Sequence, residues 1–161
     1  MNQKPHQPIT PSAALARMAA LCARGEHAER DIRSKLETLG LTLNNIDTII
    51  TQLKRENFLD ETRYARAYCH DKLHFNGWGK LKIAYMLKAK GVSEACIEAA
   101  TAEIDNEQYR EILKKLLAAK WRKVSHKEAR QARAAIVRFA TGRGFEFSDI
   151  APLLDELTSQ A

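Results

Sequence analysis

The residues with metal-ligand chemistry at metal-ligand spacing are Cys69, His70 and His74. Two histidines four residues apart share one side of a helix and can hold a single ion between them. A helical projection sets both on the polar face beside Arg63 and Arg66, whose charge opposes a divalent cation, and turns Cys69 toward the apolar side. The sequence therefore favours two solvated histidines over a metal centre. Other chemistries lack their residues. There is no Gly-x-x-x-x-Gly-Lys-Ser/Thr phosphate loop and no His-Glu-x-x-His. Gly142-Arg143-Gly144 is a lone G-x-G that helix termination explains. Acidic residues stand singly, with no apolar-set pair for acid–base work. The expectation is a protein without catalytic residues, cofactor or metal. Cys22, Cys69 and Cys96 are odd in number and far apart, which suits small buried hydrophobes in a reducing compartment.

What remains for function is charge. The chain carries +6 with a pI near 9.3. Residues 106–161 hold 11 Lys/Arg against 7 Asp/Glu, whereas each of the preceding thirds has an excess of one. That block contains Arg110, Lys114, Lys115, Arg122, Lys123, Lys127, Arg130, Arg138 and Arg143. Lys127, Arg130 and Arg138 project opposite the apolar face made by Ala129, Ala132, Ala135, Ile136, Phe139 and Ala140. Such a block suits the phosphate backbone of a nucleic acid, with little sequence information. The middle third adds Arg63, Arg66, Lys72, Lys80 and Lys82. Trp78, between two glycines, has two readings: a stacking residue, or a plug in the seam between helices, and the plug is favoured. Trp121 has the same two.

The elements that must carry these residues are helices. Gly and Pro number only 7 and 4, and Ala, Leu, Lys, Arg and Glu abound. No run of 18 apolar residues occurs, and MNQKPHQPITP has no apolar stretch for a secretory signal. Residues 1–9 read as a flexible tail. Thr10-Pro11 opens a helix to Arg24, with Gly25 as its C′ residue. Helices follow at about 27–39, from Thr42, 61–75 behind Asp60, 79–90, from Ser93, and about 107–121. Ser125 with Glu128 fits a capping box for a helix to Thr141, and Ser148 is the cap expected for the last.

The pattern repeats. Ile32, Leu36, Gly40, Leu41 and Ile46 match Ile83, Leu87, Gly91, Val92 and Ile97, then Ile136, Ala140, Gly144, Phe145 and Ile150. Five matched positions in three copies predict an all-α fold. It consists of three tandem three-helix repeats, 10–58, 59–105 and 106–161, in an elongated, curved array. Three-helix units also suggest helix-turn-helix architecture. No copy, however, has a second helix rich in Asn, Gln and Arg for reading bases.

Residues 57–92 carry a further signal. Phe58-Leu59-Asp60-Glu61-Thr62-Arg63-Tyr64-Ala65, Gly77-Trp78-Gly79, Lys82-Ile83 with Leu87, and Lys90-Gly91-Val92 together resemble the signature of the RecX family. The resemblance covers about residues 12–157 and is weakest in the last block. Lys80 departs from it where Pro is frequent, and His27 where a Ser-like cap is common. The resemblance implies a cytoplasmic, non-catalytic and monomeric regulator of the RecA recombinase. It would lie in the groove of the RecA–DNA filament and contact single- and double-stranded DNA through the backbone. There it would dampen ATPase, strand exchange and co-protease action, and so affect homologous recombination, DNA repair and the SOS response.

Overall fold

The computed structural model describes residues 7–160, and they are helical. The part of the expected tail at residues 1–6 lies outside the described residues. Ile9 is half-buried against the first hydrophobic cluster. Nine helices follow among the described residues: α1 Pro11–Arg24, α2 Glu29–Thr38, α3 Leu43–Arg55, α4 Glu61–His74, α5 Lys80–Ala89, α6 Glu94–Ala102, α7 Asn106–Val124, α8 Ala129–Gly142 and α9 Phe147–Ser159. The architecture is all-α with a three-helix repeat.

The caps show why the helices start where they do. Thr10, Asp60 and Ser93 accept bonds from the amides of Ala13, Arg63 and Cys96, meeting donors that a helix start leaves unpaired. Other expected starts and stops differ. α2 begins at Glu29 with Ala28 as N-cap and no side-chain cap, so His27 does not stand in the capping position. Gly25 has φ 176°, extended backbone open to any residue, and is not a left-handed C′. The Ser125–Glu128 capping box does not form. α7 continues three residues past Trp121 and takes Ser125 as its C-cap, while Glu128 precedes α8 without a side-chain bond. Ser148 lies inside the first turn of α9, whose N-cap is Glu146.

The repeated glycines have one physical cause. Gly40, Gly91 and Gly144 have φ of 81°, 81° and 94°, left-handed values that side chains with a Cβ resist. After α2, Leu41 N–H donates to Leu36 O and Gly40 N–H to Glu37 O. After α8, Phe145 N–H donates to Ala140 O and Gly144 N–H to Thr141 O. These paired bonds close the last turn of each helix as a Schellman motif, with the apolar residue after Gly folding back onto it. The Ile eight residues earlier is buried in every copy, at Ile32, Ile83 and Ile136.

Two compact units emerge. One comprises the described part of Met1–Tyr64 with Lys90–Val92. Its core is Ala14, Met18, Ile32, Leu36, Ile46, Ile49, Ile50, Leu53 and Leu59. α3 packs on both α1 and α2. Arg63 bonds Glu26 at 2.9 Å and the Asn57 carbonyl at 2.8 Å, and Lys90 bonds Asp31 at 3.1 Å. The other unit comprises Ala65–Ala89 with the described part of Ser93–Ala161. There α7, α8 and α9 pack mutually, and α5 packs on α6.

Candidate nucleic-acid interface

The second unit holds all the expected contact residues but Arg63, and they are arranged about a backbone junction. The loop 75–79 follows α4, with Gly77 N–H on Leu73 O and Trp78 N–H on Lys72 O. Gly79 N–H donates to Arg143 O at 2.7 Å, and Leu81 N–H donates to Gly144 O at 3.1 Å. The first donors of α5 are thus met by the last acceptors of α8. Lys80 N–H donates to the Tyr109 hydroxyl at 3.0 Å. A proline there has no N–H to give, so Lys80 is suited to this junction. Burial pushes the Tyr109 hydroxyl up to about 12. The two glycines make the close approach possible. A Cβ on Gly79 would collide with the Gly144 carbonyl, and a Cβ on Gly144 with Lys82. Gly77, at φ 63°, packs on Leu116 of α7 and beside the Arg143 guanidinium.

This changes the reading of Trp78. The seam is filled by Gly77 and Gly79, both buried, and the indole between them is only half-buried. Tyr68 meets it edge-on with centroids 6.5 Å apart. Lys72 Nζ lies 4.9 Å and Lys82 Nζ 4.4 Å from its centroid. Neither lysine has a carboxylate partner among the described residues. Arg143 continues the strip: it donates to Asn76 O at 2.7 Å and covers the Phe139 ring at 5.1 Å, which Lys120 also approaches at 5.4 Å. The sequence pointed to Lys72, Lys82, Trp78 and Arg143. It missed Lys120, Tyr68 and Phe139, although Lys120 lies one turn beyond Leu116, on which Gly77 packs.

The other expected contact residues divide by their partners. Arg66 is bidentate on Glu103 at 2.7 and 2.8 Å. Arg63 is held within the first unit, and its bond to Glu26 raises it above the ordinary arginine value. Arg110 pairs with Glu156 at 2.8 Å, and Arg133 with Asp155. Lys80 Nζ reaches Asn106 and the Tyr109 ring. By contrast, Lys114, Lys115, Lys123, Lys127, Arg130 and Arg138 are exposed and have no carboxylate partner among the described residues. Arg122 bonds only Ala118 O. Arg130 and Arg138, eight residues apart, share the outward face of α8.

His70 and His74 are exposed with rings 4.4 Å apart, and His70 Nδ1 lies 3.2 Å from Asp71. Cys69 is buried, and its thiol is pushed up to about 11 by burial and secondarily by Glu103. That keeps it protonated, the wrong form for metal ligation or nucleophilic attack.

The arrangement is that of a helical-repeat protein with a strip of cations set over half-buried rings. Its relatives share one description. Residues 60–100 match the family model "RecX, second three-helix domain". The regulatory protein RecX of Clostridium acetobutylicum is 28% identical over 136 residues, covering 82% of this chain and 63% of that protein. The chain therefore spans somewhat under two thirds of this relative's length. The Vibrio parahaemolyticus regulatory protein RecX is 29% identical over 151 residues, 94% of each chain. The crystal structure of RecX from Lactobacillus salivarius superposes with a TM-score of 0.82 at 20% identity, covering 92% of this chain and 96% of that one. Over most of its length the chain is thus similar to RecX regulatory proteins, and it shares the fold of their crystal structure.

Proposed function

We propose that the chain modulates the RecA recombinase by binding its DNA filament in the cytoplasm as a monomer. There it lowers ATPase, strand exchange and co-protease activity, and with them homologous recombination and the SOS response. Its repeats are taken as 10–58, 59–105 and 106–161. One observation carries this reading: Lys114, Lys115, Arg122, Lys123, Lys127, Arg130 and Arg138, on α7, α8 and the turn between them, stand exposed without carboxylate partners among the described residues. Meanwhile Arg63, Arg66, Arg110 and Arg133 are held by acids within the protein. Free cations release counterions from phosphates, whereas a paired arginine must first break its own bond. The DNA-facing residues are therefore Lys114, Lys115, Arg122, Lys123, Lys127, Arg130 and Arg138, with Lys72, Lys82, Lys120 and Arg143 extending the surface.

The test is a titration of recombinase ATPase on single-stranded DNA at moderate salt. Inhibition at or below stoichiometric protein supports the proposal, and no inhibition by folded protein rejects it. Equal affinity for bare DNA and for the filament would instead define a sequence-neutral DNA-binding module with no recombinase partner.

A further inference from the structure

We propose that Trp78, Lys72 and Lys82 form a stacking site for one base of a single-stranded polynucleotide, with the two lysines taking the flanking phosphates. This rests on the reading that the chain meets DNA, and it adds a strand preference and an address.

Three features carry it. The indole keeps part of its surface open although it sits in a junction whose glycines are buried, because Gly77 and Gly79 make the close backbone approach. The ring is held in advance. Its amide is bonded to Lys72 O, Gly79 is bonded to Arg143 O, and the Tyr68 ring packs beside it with centroids 6.5 Å apart. A pre-ordered aromatic surface loses little entropy on binding. Finally, the groups over the ring are two lysine ammoniums, at 4.9 and 4.4 Å, with no carboxylate to hold them among the described residues. They shield the indole in the free protein, and a rotamer change releases each of them to a phosphate. An aromatic face between unpaired cations suits a base with its phosphates, and stacking tolerates any base. In a duplex the bases already stack on each other and leave no open face for Trp78. Arg143 and Lys120, over Phe139, continue the cationic strip along which the strand would run.

The experiment uses the full chain carrying Trp121→Phe, which leaves Trp78 as its one tryptophan. A dye-labelled oligothymidylate and a duplex of equal length are titrated in turn. Dye anisotropy reads binding and Trp78 fluorescence reads stacking. The expected result is quenching by the single strand in step with anisotropy, and little quenching at equal occupancy by the duplex. Trp78→Ala should weaken single-strand affinity about tenfold and leave duplex affinity nearly unchanged. Trp78→Phe should recover part of the loss, and circular dichroism should show both variants folded. Lys72→Gln with Lys82→Gln should weaken binding and flatten its salt dependence.

Saturating anisotropy without a fluorescence change would overturn the stacking site while leaving DNA contact intact. So would equal losses on single strand and duplex. No anisotropy change with either nucleic acid would remove the DNA reading and this site together. Quenching by recombinase alone, but not by oligothymidylate, would make Trp78 a protein anchor and overturn the proposal.

Discussion

Residue types alone do not say which glycines matter, and the structure separates them. Gly79 faces the Gly144 carbonyl with no space for a methyl group, whereas Gly142, at the end of α8, has nothing within 4 Å of where its Cβ would be. Gly79→Ala should destabilise the protein by about 2 kcal/mol, as overpacking a rigid contact does. Gly142→Ala should be neutral or stabilising by up to about 1 kcal/mol, through helix propensity and a less flexible unfolded chain. Urea unfolding of both variants checks the contrast. Burial of two acids ties stability to alkaline pH. The Cys69 thiol rises from 9.0 to about 11 and the Tyr109 hydroxyl from 10.0 to about 12, both chiefly through burial. A raised value means the folded state holds its proton more tightly than the unfolded one. Their contribution is fully present below pH 9. It falls as pH rises through 9–11 for Cys69 and 10–12 for Tyr109. Denaturation midpoints between pH 8 and 11 should fall accordingly. Cys69 should resist thiol reagents at pH 8 until the protein unfolds.

At the scale of elements, each helix start tests whether a sequence cap is a real one. Thr10 and Ser93 bond the third amide beyond them, so Thr10→Ala or Ser93→Ala should cost about 1 kcal/mol. Ser125 has the right spacing from Glu128 but closes α7 instead, and Ser125→Ala should stay within about 0.5 kcal/mol. The reason is a contest between neighbours. The third turn after Leu113 and Leu117 still has Val124 to bury, so α7 runs on through the residues that a capping box would have used. Asp60 shows the opposite outcome. Its side chain accepts from the Arg63 amide, and α4 starts where the sequence places it.

Over the whole molecule, what distinguishes the cations is whom they face. Arg130→Gln with Arg138→Gln should lower the log–log salt slope of DNA binding by about 1.5, the value for two phosphate contacts. Arg66→Gln, which breaks the Glu103 pair, should leave that slope unchanged. Salt titrations of the two variants beside the parent chain give the comparison. An equal effect from Arg66→Gln would show that partnering does not select the binding cations. No helix among the described residues is long and apolar enough to cross a membrane.

The sequence by itself determined the helices, the three copies and the left-handed glycine turns. Those depend on periodicity, breakers and a backbone conformation that few residues tolerate, all of which are local. It also located the excess of positive charge. Only the tertiary structure decided which cations are free. Glu26, Glu103, Asp155 and Glu156 pair with arginines at sequence separations no local pattern reveals, 37 residues for Arg63–Glu26 and 46 for Arg110–Glu156. The same holds at Gly77-Trp78-Gly79. The end of α8 lies against them through the Gly79–Arg143 bond, which joins distant parts of the sequence, and the indole is left half-buried between two lysines.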